Sequence, residues 1–264
     1  MASEGRVTIE MRSGGKGGDQ RVAWILVDRQ DRLNCMSTGQ NRRLTEAVEQ
    51  VGADDGVRAV VVTGAGGRSF IGGADLTELG HLDRAAARAY ITGLHRVNAA
   101  IRACPVPVIA RVNGFCLGGG LEVAASCDMR VASENAVFAM PEVHMGLPSV
   151  IEAALLPGLI GWGKTREMLL TGRTYDAAEA LAMNFVERVV APADLDAAVA
   201  DWIDPICDAA PLAIRSQKSL ITAWEDMGPR GGIAAGIDAL ADAYLTGEPQ
   251  ARIAAFFAAK GSKT

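Results

Sequence analysis

The sequence predicts an α/β protein with a mixed core followed by a purely helical region. Two segments, VRAVVVTGAGG at 57–67 and PVPVIARVNGF at 105–115, are rich in β-branched and apolar residues, as strands buried on both faces are. Predicted helices alternate with them, and the chain after Ala191 is alanine-rich with helical periodicity. We therefore expect residues 1–191 to form the core and residues 192–264 to form a helical region.

The elements of the predicted core recur in the order strand, strand, helix. The chain opens with a hairpin, because two apolar runs flank the glycine-rich SGGKGGDQ. The sequence MRVASENAVFAM predicts two short strands around a Ser-Glu-Asn turn. In chain order we expect strands at 7–11 and 22–27, a helix at 38–51, a strand at 57–67, a helix at 84–103, a strand at 105–115, a short helix at 118–128 and the two strands within 129–140.

The second half of the chain is predicted to be mainly helical. Helical segments end at glycines or turns, and one short strand interrupts them at VERVV. The predicted helices lie at 151–161, 164–172, 176–185, 194–210, 212–224, 233–245 and 250–260. The alanine-rich helices after residue 191 either bury a stripe of small residues against a partner subunit or form an ordinary amphipathic helical extension of the core. The sequence leaves both possibilities open.

Composition excludes several classes of protein. The 264 residues are 49% hydrophobic, and 26 basic against 31 acidic residues give a net charge of −5, which argues against nucleic acid or an anionic membrane surface as partner. The five cysteines are far apart and form no C-x-x-C pair, which favours reduced thiols over disulfides or a zinc site. With no secretory signal pattern and no apolar run of about 18 residues, we expect a soluble, cytoplasmic protein.

The most informative stretch is NGFCLGGGLEVAASCD, in which a buried strand leads into Gly118, Gly119 and Gly120 and then into a helix. Amide groups at a helix N-terminus lack intrahelical acceptors and lie at the positive end of the helix dipole, so they can bind an anion or a developing oxyanion. Neither a P-loop nor a dinucleotide-binding motif fits, because Val123 replaces the last required glycine and no Lys-Ser/Thr pair follows.

Acidic residues accompany the glycines. Glu122 can act as a base beside a carbonyl group, although a glutamate near the third position also stabilises any helix start. Glu142, in AMPEVHMGLPS, follows the last short strand and can face Glu122 across one cleft. Both alternatives for Glu122, catalyst or helix-start residue, stay open at this stage.

A second glycine loop, SFIGGADLTEL, follows the strand at 57–67. A turn there frees the backbone amides of Gly73 and Ala74, and Asp75 stands in a capping position. Two amide-donor loops after successive strands are what an oxyanion hole with two donors requires.

Three segments, taken together, resemble the crotonase superfamily, in particular the enoyl-CoA hydratases. They are GGADL, NGFCLGGGLEVAASCDMRVASENAVFAMPE and LTGRTYDAAEALAMNFVERVV. The resemblance implies a crotonase (ClpP-like) spiral of repeated ββα units with a C-terminal α-helical trimerisation region. It also implies a homotrimer or a hexamer built as a dimer of trimers.

The resemblance further implies the site residues. Ala74 and Gly119 match the two backbone donors that hold a thioester carbonyl, and Glu122 and Glu142 match the two hydratase glutamates. Glu122 then helps to deprotonate a water that adds to Cβ of a 2-enoyl-CoA thioester, and Glu142 protonates Cα. No metal or redox cofactor is implied, since coenzyme A belongs to the acyl-CoA substrate.

An acidic protein needs local cations to hold the phosphates of coenzyme A. Arg29 and Arg32 stand where the family has a basic residue and an adenine-contacting segment. Lys260 matches a basic end that reaches the nucleotide of a neighbouring subunit, although it also fits a solvated surface charge. The residues that the resemblance places around the substrate are Arg32, Leu33, Cys35, Gly72, Gly73, Asp75, Leu76, Gly118, Pro141 and Lys260.

One segment departs from the hydratase pattern. The sequence PSVIE at 148–152 replaces a glycine-rich loop and a polar helix start that line the acyl end of the family's pocket. Glu152 is then either a third carboxyl of the pocket or a polar residue in the first turn of a helix. For His144 we expect a structural or surface role rather than a substrate contact.

Three rival functions remain. They are double-bond isomerisation, thioester hydrolysis, and a non-catalytic crotonase fold that binds RNA or proteins. The presence of both Glu122 and Glu142 favours hydration, because water addition needs a base for water and an acid for carbon.

Overall fold

A computed structural model describes residues 4–261. The described chain contains two sheets and a set of α-helices that cover them. The strands are β1 Arg6–Gly14, β2 Gln20–Asp28, β3 Val57–Gly64, β4 Ser69–Ile71, β5 Val108–Val112, β6 Phe115–Leu117, β7 Met129–Ser133, β8 Val137–Ala139, β9 Tyr175–Asp176 and β10 Arg188–Val190. The helices are α1 Thr38–Gly52, α2 Leu76–Leu79, α3 Arg84–Ala103, α4 Gly119–Ser126, α5 Leu156–Thr171, α6 Ala177–Ala182, α7 Leu195–Asp208, α8 Pro211–Asp226, α9 Pro229–Ala243 and α10 Glu248–Gly261.

Four short 3₁₀ helices complete the described elements. Two of them, Glu142–Met145 and Ile151–Leu155, follow β8 and precede α5. The other two are Gln30–Arg32 and Pro192–Asp194.

The larger sheet has the order β1-β2-β3-β5-β7-β10. The predicted hairpin is confirmed, since β1 and β2 pair antiparallel from Arg6 opposite Asp28 to Gly14 opposite Gln20. The remaining neighbours pair parallel. The prediction of a strand buried on both faces is also confirmed, because alternate residues of β3 belong to two different hydrophobic cores.

Helices cover both faces of the larger sheet. On one face, α1 and α3 contribute Leu44, Val48 and Ile101 to the core that contains Val60 and Val62 of β3. On the other face, α7 packs its apolar stripe against Ala59 and Val61; the stripe is formed by Leu195, Ala198, Val199 and Ile203. The first helix after residue 191 is thus part of the core packing.

The smaller sheet has the order β4-β6-β8-β9, in which β4, β6 and β8 are parallel and β9 is antiparallel to β8. The prediction of one strand over 105–115 is wrong, because the chain leaves the larger sheet after β5 and enters the smaller sheet as β6. Asn113 stabilises the chain at this exit, because its buried Nδ2 donates to the carbonyl oxygens of Gly64 and Gly66 at 2.9 and 2.5 Å. The strand β4 was predicted as part of a loop.

The helices predicted at 151–161 and 164–172 are joined differently in the structure. A 3₁₀ helix, Ile151–Leu155, runs directly into α5, and α5 continues through Gly161, where φ is 75° and ψ is 157°. This positive φ suits glycine and interrupts the helical geometry, so α5 consists of two helical segments that meet at a kink, and the predicted break at Gly161 is confirmed.

The last two helices expose an apolar face. Large apolar side chains that point to solvent are Ile233, Ile237, Leu240, Tyr244, Leu245, Ile253, Phe256 and Phe257. Over residues 4–261, no helix combines the length and the apolar character needed to cross a bilayer.

Candidate active site

The three parallel strands of the smaller sheet each end at one of the motifs singled out in the sequence. The loop Gly72–Asp75 follows β4, the Gly118–Gly120 loop and Glu122 follow β6, and Pro141 and Glu142 follow β8. The pairs Ile71 opposite Cys116 and Leu117 opposite Ala139 set the register. Since the carboxyl ends of parallel strands meet at one edge of a sheet, the fold brings all three motifs together.

The two glycine loops contact each other through their backbones. A Cβ atom at Gly120 would lie 2.2 Å from the carbonyl oxygen of Ile71, so only glycine permits this approach. The first turn of α4 therefore packs directly against the end of β4.

Each loop contains backbone amides without an acceptor among the described residues. In the first loop, the amide of Gly72 donates to Leu33 at 2.8 Å and that of Asp75 donates to Met36 at 2.9 Å. Between them, the amides of Gly73 and Ala74 have no acceptor among the described residues. The amide of Gly119, the first residue of α4, likewise has none within residues 4–261, as expected at a helix N-terminus.

Glu122 is buried, with 4% of its surface exposed. Its Oε1 accepts a hydrogen bond of 3.3 Å from the amide of Ala153 instead of capping the first turn of α4. Burial raises the pKa of Glu122 to about 8, with further contributions from the negative charges of Glu142 and Glu152. At neutral pH the ligand-free site therefore carries a proton on Glu122.

Glu142 begins the 3₁₀ helix that follows β8. Its Oε2 accepts a hydrogen bond of 2.8 Å from Oγ of Ser149. Its Oε1 lies so close to Gly118 that a Cβ atom there would come within 2.3 Å of it. The carboxyl of Glu142 thus sits beside the glycine loop.

Glu152 does lie in the first turn of a helix, the 3₁₀ helix Ile151–Leu155, but it is buried and not solvated. Its Oε1 is 2.7 Å from Nδ1 of His95, and its Oε2 accepts a bond of 2.7 Å from Nδ2 of Asn98. The structure therefore places a third carboxyl next to Glu122. Sequence reasoning gave no site role to His95 and Asn98, which lie in no local motif, and it gave none to Ser149, although Ser149 lies in the segment PSVIE.

The expected role of Arg29 as a cation for coenzyme A is wrong. Its side chain is 8% exposed and donates to Asp75 at 2.6 Å. Asp75 also caps α2 by accepting from the amide of Thr77 at 2.9 Å. Burial alone would raise the pKa of Asp75, but the bonds from Arg29 and Thr77 outweigh it and hold that pKa below its ordinary value. Arg29 is thus committed to the loop that carries Ala74.

Arg32 remains exposed at the same edge, with Nη1 3.4 Å from Oγ1 of Thr77. Leu33 adopts a left-handed conformation with φ of 52°, and its carbonyl also accepts from Oγ of Ser69 at 2.7 Å. Cys35 is buried, whereas Leu76 is 60% exposed. The structure thus gathers most of the expected substrate contacts around the two glycine loops.

Lys260 and His144 lie apart from this cluster. Lys260 is on α10, with Nζ 4.6 Å from the centroid of the Phe256 ring, and α10 bonds to α7 and α8. His144 is exposed, and its ring lies against Gly172 at the end of α5, which fits the predicted structural or surface role. Among the described residues, no group of three or more His, Cys, Asp or Glu side chains is arranged to hold a metal ion.

Comparisons with known proteins agree with this geometry. The sequence pattern of the enoyl-CoA hydratase/isomerase family matches residues 17–239. The putative enoyl-CoA hydratase/isomerase YngF of Bacillus subtilis (strain 168) is 36% identical over 204 residues, covering 77% of this chain and 78% of YngF. The short-chain-enoyl-CoA hydratase of Clostridium acetobutylicum is 34% identical over 202 residues, covering 76% and 77%.

A solved structure has the same fold. The crystal structure of an enoyl-CoA hydratase from Bacillus anthracis superimposes with a TM-score of 0.82 at 27% identity, covering 89% of each chain. Fold and strand-end loops together define a member of the crotonase superfamily, whose enzymes act on acyl-CoA thioesters. Within it, the chain belongs to the enoyl-CoA hydratase/isomerase family.

Proposed function

We propose that this protein adds water across the double bond of a 2-enoyl-CoA thioester. One observation carries the proposal: two amides without acceptors among the described residues, Ala74 and Gly119, share an edge of the small sheet with Glu122 and Glu142. The names of the relatives from Bacillus subtilis and Clostridium acetobutylicum support the same chemistry.

The two amides serve the thioester oxygen. As water adds to Cβ, negative charge moves onto this oxygen, and donors that are already in place stabilise the resulting enolate. The Arg29–Asp75 ion pair holds the loop that carries the Ala74 amide, and the Gly119 amide is fixed as the first residue of α4. Loss of one such donor typically costs about 3 to 4 kcal/mol of transition-state stabilisation.

The two carboxyls share one proton during hydration. An ionised Glu122 takes a proton from water as the water oxygen bonds to Cβ, and the alkene electron pair moves into the enolate. A protonated Glu142 then gives its proton to Cα, and the thioester carbonyl re-forms.

Hydration therefore ends with the proton on Glu122 and with Glu142 ionised. The raised pKa of Glu122 favours this same distribution in the ligand-free site. The proton must return to Glu142 before the next hydration. Because the pair needs one proton overall, we expect kcat/KM to fall as the pH rises through about 8, where the pair loses that proton.

Substrate binding and assembly complete the proposal. Arg32 is the exposed cation beside the site, and Lys260 reaches the nucleotide of coenzyme A in a neighbouring copy of a homotrimer or hexamer. The exposed apolar face of α9 and α10 supports such an assembly. The reaction needs no cofactor beyond the coenzyme A of the substrate, and the buried free cysteines fit a cytoplasmic location.

One experiment separates hydration from the rival reactions. The protein is incubated with a series of 2-enoyl-CoA esters from crotonyl-CoA to longer and aryl-substituted chains in ¹⁸O-water, and the products are analysed by mass spectrometry. A hydratase places ¹⁸O on Cβ of an intact thioester. A hydrolase releases free thiol and an ¹⁸O-labelled acid, and an isomerase yields an unlabelled 3-enoyl thioester.

Variants of the two carboxyls complete the experiment. Glu142→Gln and Glu122→Gln should each abolish labelling on Cβ while binding of the CoA ester persists. Labelled 3-hydroxyacyl-CoA formed at the normal rate by Glu142→Gln contradicts its role as the acid.

A further inference from the structure

The site contains a buried carboxyl that the proposed mechanism does not use. Glu152 is 7% exposed and is held by His95 and Asn98, both on α3. A buried ionisable group of this kind is costly unless its environment compensates for the lost water. Its place beside the proposed catalytic pair points to an effect on that pair.

The orientation of the Asn98 amide is set by its hydrogen bond to Glu152. Nδ2 of Asn98 donates to Glu152, and Oδ1 of the same amide is buried without a partner among the described residues. A flipped amide would turn Oδ1 towards the carboxylate, which repels it. The bond to Glu152 therefore outweighs the cost of leaving Oδ1 unpaired.

Glu152 is connected to Glu122 through the peptide group between Glu152 and Ala153, whose amide contacts the Glu122 carboxyl. The amide of Ala153, the next residue, is shared: it donates to the carbonyl oxygen of Val150 at 2.9 Å within the 3₁₀ turn and to Oε1 of Glu122 at 3.3 Å. The bonds from α3 to Glu152 therefore fix the 3₁₀ turn that presents this amide. The charged side chains that influence Glu122 are Glu142, from the 3₁₀ helix after β8, and Glu152, which in turn contacts His95 on α3.

We propose that Glu152, held by His95 and Asn98, is a positioning residue that keeps the shared proton on the Glu122–Glu142 pair and holds the Ala153 amide against Glu122. This rests on the proposed function. A negative charge beside the pair makes loss of the proton less favourable, so the pair stays protonated to a higher pH. The half-exposed ring of His95 connects this charge to solvent.

The test removes the charge and keeps the shape. In Glu152→Gln, the amide oxygen can still accept from Asn98, and the amide nitrogen can donate to the unprotonated Nδ1 of a neutral His95. The carboxyl titration of Glu122 is followed by infrared difference spectroscopy, with Glu122→Gln as the reference that assigns its band. We expect the titration to move to lower pH by about half a unit or more.

The same shift should appear in the kinetics. The basic limb of the kcat/KM profile should move to lower pH in Glu152→Gln, by the same amount as the infrared titration. Glu225→Gln is the matched control, since its carboxylate pairs with Arg102 and is about half exposed. Glu225→Gln should change neither the infrared titration of Glu122 nor the pH profile of kcat/KM.

A second variant tests the same effect if Glu152→Gln does not fold. His95→Lys places a fixed positive charge beside an intact Glu152, and a half-exposed position tolerates it. We expect the Glu122 titration to move in the same direction. An unchanged titration in a folded variant, with or without loss of rate, overturns the proposal. The infrared result is independent of the ¹⁸O experiment, so failure of the proposed function is recognised separately.

Discussion

The guanidinium of Arg29 donates to the carboxylate of Asp75 over 2.6 Å, and each side chain is less than one tenth exposed. Asp75 follows Ala74 directly and caps α2, so this ion pair holds the loop from which the Ala74 amide projects. The relationship joins two segments 46 residues apart in the chain. Arg29 therefore stabilises the Ala74 loop, whereas the exposed Arg32 is the side chain proposed to bind coenzyme A.

Replacing Arg29 should therefore affect stability and turnover together. Arg29→Met leaves a buried, unpaired carboxylate, which costs about 3 kcal/mol of unfolding free energy, and it loosens the Ala74 loop so that kcat falls. Arg32→Met is the matched control: its unfolding free energy should change by less than about 0.5 kcal/mol, while KM for the CoA ester rises. Urea denaturation and steady-state kinetics measure both. Equal stability of the two variants contradicts the structural role of Arg29.

Gly118 should be intolerant of even one added methyl group. In Gly118→Ala, the Cβ atom would lie 2.3 Å from Oε1 of Glu142, so the carboxyl must move. We expect kcat to fall by about 10-fold to 1000-fold, since misplacing a catalytic group by about 1 Å has effects of this order.

A control variant shows the effect of a positive φ without a clash. Gly146 has φ of 74° and ψ of 20°, the left-handed helical region, whereas Gly118 has φ of 51° and ψ of −121°, and a Cβ atom at Gly146 meets no atom within 4 Å. Gly146→Ala should therefore show the modest stability loss that a positive φ imposes and keep most of its kcat. A similar loss of kcat in both variants speaks against the clash as the cause.

Sequence patterns predicted the features of the site that lie in continuous motifs. They missed the features that depend on contacts between residues far apart in the chain. The glycine loops and Glu122 and Glu142 lie in continuous motifs, so their positions at strand ends were predictable. The three-residue strands β4 and β6 are too short for a periodic signal, and β6 was merged with β5. Arg29 was misinterpreted because its partner Asp75 is remote, and the burial of Glu152 depends on side chains of α3.

The apolar face of α9 and α10 should mediate assembly. Ile237 and Leu240 are 65% and 67% exposed, so replacing both by glutamate should leave the folded chain stable but place charges in an interface. We expect analytical ultracentrifugation to show a homotrimer or hexamer for the parent protein and a smaller species for this variant. Leu181→Glu on α6, also exposed, is the control. An unchanged sedimentation coefficient for the double variant excludes this face as the interface.

Glu122 should cost the protein stability in a manner that depends on pH. Its pKa is about 8 in the folded protein, well above the ordinary value of 4.5. Below about pH 4.5 the carboxyl is neutral in both the folded and the unfolded chain, so no penalty arises. As the pH rises towards 8, the unfolded chain releases this proton while the folded chain retains it, and folding becomes progressively less favourable.

Glu122→Gln removes this dependence, because an amide of the same size stays neutral and can still accept from the Ala153 amide. We expect the variant to be inactive but more stable than the parent at pH 8.5, with a difference in unfolding free energy on the order of 4 kcal/mol larger than at pH 5. Thermal or urea denaturation at pH 5, 7 and 8.5 measures this difference. A stability difference that is the same at all three pH values would falsify the raised pKa of Glu122, and with it the proton that the proposed catalytic pair holds at neutral pH.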